Sequence, residues 1–312
     1  MKILIVGAGA IGGYFGGRLL EKGEDVTFLV REKRKAQLEE TGLKIKSVNG
    51  DSRLVPKLIT AENAGATFDV VVISTKSYQL RGAIEDIRPF VGEGTMILPL
   101  LNGIAHIDVL IEAFGDSAVI GGLCFIESTL DENGAVIQTS PINQLVYGER
   151  TGEKTERVMK LQKAFEGTKA EFIFSEKINQ DMWHKYLFIA AMSGITAAME
   201  SPIGPIRDLE TGRRTIAAFI KELAEIMFKI GAPVKETIAQ EQIEKINAMA
   251  AGMKSSMQRD VEKSLPIEAE HLQGYLLEKA NEHNVDVPIL ETIYTKLMLY
   301  EQTYIKSKKD ER

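Results

Sequence analysis

The sequence is poor in the residues that staple small proteins or hold metals. Cys124 is the only cysteine among 312 residues, which rules out an intramolecular disulfide and a multi-cysteine metal site. It sits in the apolar stretch Gly121-Gly122-Leu123-Cys124-Phe125 and reads as a small buried hydrophobe. The four histidines, His106, His184, His271 and His283, are scattered, and none stands in a metal-ligand spacing. No metal site is expected. Positive charge is also scarce: 38 Lys and Arg face 44 Asp and Glu, a net charge of -6. That balance argues against nucleic acid as a partner, because phosphate binding needs a basic surplus on one face. Long apolar runs are missing too. The uncharged stretch Tyr186 to Met199 is too short to span a bilayer and reads as a buried core helix. The run Ile3 to Val6 is too short for a signal peptide. These absences predict a cytoplasmic protein with no membrane contact. No internal repeat or low-complexity segment is found.

What is present is the composition of a soluble globular protein, 44% hydrophobic and 26% charged. The length suits one large domain or two ordinary ones. The first half alternates strand and helix signals. Ile3 to Val6, Val26 to Val30, Val70 to Ser74 and Met96 to Leu101 are apolar runs of the kind that form parallel strands covered on both faces. Ile11 to Lys22 has helical spacing, and such alternation predicts an α/β fold with a doubly wound parallel sheet. Short runs at Val119 to Phe125, Ala135 to Thr139 and Leu145 to Gly148 flank Asp131-Glu132-Asn133-Gly134. Asn-Gly is a hairpin signal, so an antiparallel extension is expected there. Lys154 to Phe165 reads as a helix and Glu171 to Phe174 as a last strand.

Beyond Glu176 the strand signals stop. Met182 to Met199, Ile206 to Ile230, Glu236 to Met249, Ile267 to Asn281 and Ile289 to Ile305 carry helical spacing, punctuated by prolines and glycine. The charged tail from Lys306 to Arg312 is expected to fray. The division expected is residues 1-175 as a Rossmann-type dinucleotide-binding domain and 176-312 as an all-helical domain carrying substrate and catalytic residues.

Gly7-Ala8-Gly9-Ala10-Ile11-Gly12 fits the spacing G-x-G-x-x-G, follows an apolar strand and opens a helix. Gly7 permits the tight turn, Gly9 lets the backbone approach a pyrophosphate, and Gly12 lets helix and strand pack closely. The helix N-terminus then offers free N–H groups and the positive end of its dipole to that pyrophosphate. A glycine turn that binds nothing would show the same spacing. The second strand leads into Arg31-Glu32-Lys33-Arg34-Lys35. Arg31 lies where an NAD enzyme carries an acid for the ribose, and a guanidinium there suits the 2′-phosphate of NADP(H). A solvated helix start would carry the same charges, and Glu32 could serve as the ribose acid.

Across nearly its full length the chain resembles the ketopantoate reductase (2-dehydropantoate 2-reductase) family. The resemblance rests on Gly7 to Gly12, Arg31, Ser74-Thr75-Lys76, Leu101-Asn102-Gly103, Trp183-His184-Lys185, Ser255-Ser256-Met257 with Asp260, and Glu268. It implies a Rossmann domain followed by a helical domain, with the active site in the cleft between them. It also implies NADPH-dependent reduction of a 2-oxo acid, with ketopantoate as the leading substrate. Lys185 matches the proton donor, Glu268 the acid that holds the substrate hydroxyl, and Ser256 the serine for the substrate carboxylate. Asn102 matches an asparagine near the nicotinamide and the lysine, and Lys76 a lysine lining the cofactor cleft.

Physical chemistry adds to that resemblance. Lys185 precedes an uncharged helix, and desolvation there makes an ammonium a better acid. A surface lysine on a first helical turn would look the same. Ser255-Ser256 could equally be a helix cap and Glu268 a solvated first-turn acid. Asn102-Gly103 and Lys76 follow strand ends and could belong to ordinary turns. His184 projects to another side of the helix and reads as structural. Where the family carries substrate-contacting asparagines after the lysine, this chain has Ile189 and Ser193, and its Asn-Pro pair is absent. That change predicts altered substrate reading. A paralogue acting on another 2-oxo acid is one alternative and a non-catalytic NADP(H)-sensing protein another; the retained Lys185 and Glu268 oppose the latter. Apolar faces on the C-terminal helices would permit a homodimer and would equally suit a core.

Overall fold

The computed structural model describes residues 1-63 and 65-310. Contacts divide the chain into two units: residues 1-101 with 106-179, and residues 102-105 with 180-312.

The first unit begins with β1 (Lys2–Val6), α1 (Ala10–Lys22), β2 (Asp25–Leu29) and α2 (Glu32–Thr41). Three short strands follow: β3 (Leu43–Ser47), β4 (Ser52–Leu54) and β5 (Lys57–Ile59). Then come β6 (Val70–Ile73), α3 (Leu80–Ile87), β7 (Met96–Pro99) and α4 (His106–Phe114). The unit closes with β8 (Gly121–Leu130), β9 (Val136–Gly148), α5 (Glu156–Phe165) and β10 (Glu171–Phe174).

A five-stranded sheet runs β5-β2-β1-β6-β7, and every pairing in it is parallel. The order reverses at β1, the topological switch point where doubly wound folds bind ligands beyond the strand ends. β6 is Val-Val-Val-Ile with all four residues buried, as expected of a strand covered on both faces. Burying each such side chain contributes about 1.5–3 kcal/mol before entropy is counted.

Antiparallel pairing joins β3 to β4 and β8 to β9; the β8-β9 hairpin turns at Asp131 to Gly134 with Gly134 at φ 77°. Both strands belong to a second sheet, ordered β10-β9-β3-β4 with β8 paired to β9. An isolated bridge, Ile97 to Val119, links the edge of the first sheet to the segment leading into β8. Ala135 to Thr139 and Leu145 to Gly148, expected as separate runs, are the two ends of the single strand β9. Pro141 stands between them without ending the strand, because β9 crosses a register shift against β8 near Ile126 and Ser128.

The second unit is helical: α6 (Ile178–Ala198), α7 (Ile203–Asp208), α8 (Glu210–Lys229), α9 (Ile238–Ala248), α10 (Ser256–Glu262), α11 (Tyr275–Glu282) and α12 (Pro288–Asp310). The single helix expected over Ile206 to Ile230 is two helices. Leu209 adopts an extended conformation between them, φ -76° and ψ 134°. Gly212 permits the tight return, since a Cβ there would lie 1.9 Å from the Ile206 carbonyl oxygen. Glu268 precedes a π-helical turn over Glu270–Gly274 that leads into α11, so the expected helix Ile267 to Asn281 starts late and carries a wide turn. The tail expected to fray from Lys306 continues as α12 to Asp310, and residues 311 and 312 lie outside the described residues.

Candidate active site

The cleft at the glycine loop belongs to the first unit and is shaped mainly by backbone. β1 ends at Val6, and Gly7 turns the chain at φ 91°, where an L side chain is strained. Gly7 N–H donates to the Leu29 carbonyl at 3.0 Å, tying the turn to β2. Gly9 caps α1 with no side-chain hydrogen bond, and the first turn, beginning Ala10-Ile11-Gly12, holds no acid. The positive end of the helix dipole is therefore left for an external anion. A Cβ on Gly12 would lie 2.2 Å from the Gly7 carbonyl oxygen and 2.3 Å from Ser74 Oγ. A Cβ on Gly9 would meet nothing within 4 Å. Gly12 thus serves internal packing, while Gly9 borders open space, the pattern expected of a loop built for a pyrophosphate.

The cleft encloses about 530 Å³ and is lined by Gly7, Ala8, Gly9, Arg31, Thr75 and Gln79 among others. Arg31 is exposed and caps α2. Glu32 also lines the cleft. Arg34, in the basic run that follows β2, is tied to the loop. Its Nε and Nη2 donate to the Ala8 carbonyl at 3.2 and 2.9 Å, and Nη2 also donates to the Gly134 carbonyl at 2.9 Å. It joins the glycine loop to the hairpin turn, and burial lowers its pKa from the usual value. Lys76 lies past β6, in extended conformation before a short 3-10 turn. Its neighbours Thr75 and Gln79 line the cleft.

The second unit brings together Lys185, Asn102 and His271. Lys185 is only 7% exposed on α6, and its Nζ donates to Asn102 Oδ1 at 2.9 Å. Ile189, one turn later, is half-buried. Tyr186, wholly buried, donates its hydroxyl to the Leu272 carbonyl within the π turn. That turn also carries His271, which hydrogen-bonds the Asn102 backbone and stands beside the buried Glu268. Burial pushes the His271 pKa below its usual value, against the pull of Glu268 and Asn102. Gly103 permits the approach, since a Cβ there would lie 3.0 Å from the imidazole. A side chain not singled out from the sequence thus bonds the Asn102 backbone and feels the charge of Glu268.

The two positions that depart from the family pattern differ in surroundings. Ser193 is 2% exposed, and its Oγ accepts from Gln273 Nε2 at 3.0 Å. Gln273 also donates to the Ala190 carbonyl at 2.8 Å, so that hydroxyl helps fix the π turn to α6. Ser256 is exposed on the first turn of α10. Ser255 is the cap, accepting from Gln258 N–H at 3.0 Å, and its hydroxyl meets Thr196 Oγ1 at 2.8 Å. His184 Nε2 accepts from the Lys235 N–H at 3.2 Å, a structural bond. No group of three or more His, Cys, Asp and Glu able to hold a metal occurs among the described residues. None of their helices is long and apolar enough to cross a membrane.

The comparisons with known proteins agree in direction. The model of ketopantoate reductase PanE/ApbA matches residues 3-152, and that of the ketopantoate reductase PanE/ApbA C terminal matches residues 177-301. An uncharacterized oxidoreductase of Bacillus subtilis (strain 168), YkpB, is 48% identical over 301 residues, spanning 96% of this chain and 99% of its own. A 2-dehydropantoate 2-reductase of Halobacterium salinarum is 25% identical, covering 94% of this chain and 96% of its own. The crystal structure of 2-dehydropantoate 2-reductase from Geobacter metallireducens GS-15 superposes with a TM-score of 0.86 at 28% identity, covering 96% of this chain and 99% of that one. With the first family segment matched on the parallel sheet and its glycine loop and the second on the helical unit, the chain belongs to the ketopantoate reductase family and is an NADP-dependent oxidoreductase acting on CH–OH groups.

Proposed function

We propose that this protein reduces a 2-oxo acid to the 2-hydroxy acid, with ketopantoate as the leading substrate and pantoate, a precursor of pantothenate and coenzyme A, as the product. The observation that carries the reading is the Lys185–Asn102 hydrogen bond, a nearly buried ammonium held by an amide oxygen. When bound, the dinucleotide supplies the hydride. Addition of hydride to a ketone leaves negative charge growing on oxygen. A fixed ammonium stabilises that charge and delivers the proton. Asn102 orients the lysine without taking its proton, since an amide oxygen is a weak base. Glu268 holds the substrate hydroxyl, and His271 keeps Glu268 and Asn102 in register. Gly7 to Gly12 receive the pyrophosphate, and Arg31 takes the 2′-phosphate.

A second reading, a relative that reduces another 2-oxo acid, is favoured by one observation. Ile189 offers no hydrogen bond, and the Ser193 hydroxyl is engaged with Gln273. Family members with asparagines at these places have amide donors there; this chain does not. NADPH oxidation across a panel of 2-oxo acids decides between the two. Selective turnover of ketopantoate supports the first, and a clear preference for a different acid supports the second. Absence of turnover with every acid defeats both.

A further inference from the structure

Helix α9 brings a second ammonium close to Lys185. Lys245 Nζ lies 4.1 Å from the centre of the Phe188 ring. Phe188 stands three residues after Lys185 on α6, so the two share a helix face. Burial lowers the pKa of Lys245 from its usual value, and the charge of Lys185 lowers it further. The packing of α9 does not call for a lysine there: Ile238, Gln242 and Ile246 form its buried face, while Lys245 is exposed. Two cations brought near each other repel, and the repulsion is relieved when an anion lies between them. The aromatic face holds the ammonium by cation–π attraction and fixes where such an anion would meet it.

We propose that Lys245 supplies a charge to the carboxylate of the 2-oxo acid, in addition to the Ser256 contact that the family resemblance implies, and so determines that this enzyme takes acids rather than neutral ketones. The inference rests on the reading of Lys185 as the group that serves the carbonyl oxygen. In a 2-oxo acid the carbonyl and carboxylate carbons are directly bonded, so the cations serving them must converge. Lys245 on α9 reaches Phe188, one helical turn from Lys185 on α6, and feels the charge of Lys185. The arrangement also accounts for the loss of amide donors at Ile189 and Ser193: the acid is recognised by a charge from another helix. Ile189 is left to contact the apolar part of the substrate.

The test compares the best 2-oxo acid substrate with its neutral methyl ester, in the native enzyme and in Lys245→Met, Lys245→Arg and Phe188→Leu. Lys245→Met should raise KM for the acid by about 10–100-fold, as expected when a charge-assisted hydrogen bond is lost. Its kcat/KM for the ester should stay within about twofold of native, an effect below the scale of a lost charged pair. NADPH affinity should not change. Lys245→Arg should recover most of the preference for the acid, and Phe188→Leu should raise KM less than Lys245→Met does. Equal losses on acid and ester would reduce Lys245 to a structural role and overturn the proposal, as would no loss on either. A native enzyme that reduces no 2-oxo acid would defeat the underlying reading, and this is seen before any substitution is made.

Discussion

The glycine loop between β1 and α1 carries no charged side chain, whereas the face of α6 around Lys185 is organised by charge. In the first region the chain makes room by omission: absent Cβ atoms, a helix end without a side-chain cap and a first turn without acids leave space and potential for an anion. In the second, a lysine and a histidine from separated stretches of chain both bond one asparagine, the lysine its side chain and the histidine its backbone, and a glutamate acts on the histidine through its charge. A site made of backbone is insensitive to most side chains and intolerant of a methyl group at one position. A site made of side chains tolerates small shifts of backbone and fails when one group is removed.

The largest expected effect tests the second half of that contrast. Lys185→Ala should lower kcat by about 10²–10⁴, the usual worth of a general acid, and leave NADPH affinity unchanged. Lys185→Arg should not restore the rate, because a guanidinium holds its proton too tightly. Steady-state kinetics paired with coenzyme titration reads both. Normal turnover in Lys185→Ala would move the proton donor elsewhere and break the comparison.

The next effect tests the backbone half. Gly12→Ala should destabilise the fold by about 1–3 kcal/mol, the cost of overpacking a filled site, and weaken coenzyme binding with it. Gly9→Ala should leave the urea midpoint nearly unchanged while weakening coenzyme binding, because its Cβ points into open space. Equal unfolding midpoints for the two variants would show that Gly12 is not the packing residue.

Arg31→Ala sharpens the contrast by asking whether charge matters in the cleft at all. It should weaken NADPH binding about tenfold or more, as for loss of a charge-assisted pair, with NADH binding little altered. Similar losses for both coenzymes would leave the 2′-phosphate to other groups, with Arg34 already committed to the Ala8 and Gly134 carbonyls.

The smallest effect lies away from both sites. Burial opposes ionisation of Glu21, but hydrogen bonds with Lys169, Ser52 and Arg18 outweigh it and hold its pKa at about 2, below the ordinary 4.5. A depressed carboxylate pKa gives stability that is full above the ordinary value and lost as pH falls from about 4.5 towards about 2. With the partly exposed setting allowed for, Glu21→Gln should cost about 1 kcal/mol at neutral pH. Denaturant titrations at pH 7 and pH 3 should show the difference between variant and native shrinking on the acid side. A constant difference would rule out an ionic origin.

The same contrast explains what was legible in the sequence. The glycine loop could be read because its requirements are local: Gly7, Gly9 and Gly12 stand within one turn and one helix start. The hairpin at Asn133-Gly134 was legible for the same reason, although the sheet it joins was not. β3, β4 and β5 escaped notice because they are only three to five residues long and interleave apolar residues with Lys, Arg and Ser. The break at Leu209 carries no proline or glycine at the bend itself, so helical periodicity ran through it. In the helical unit, Lys185 and Asn102 lie 83 residues apart, and no spacing rule joins them; family resemblance singled them out. His271 and Lys245 had no such signal. One emerges through a π turn that periodicity does not reveal, and the other through the packing of an aromatic ring against a lysine on a different helix.

Residues 102-105 group with the helical unit, although the chain on both sides of them belongs to the sheet unit. The helical unit is thus not a single length of gene. A fragment starting at residue 180 would carry Lys185, Lys245 and His271 but not Asn102, the acceptor of the lysine. The same holds for recombination between relatives. A chimera with one crossover near residue 180 would take its lysine from one parent and that lysine's partner from the other, so exchanging the complete pair requires a second crossover around Asn102.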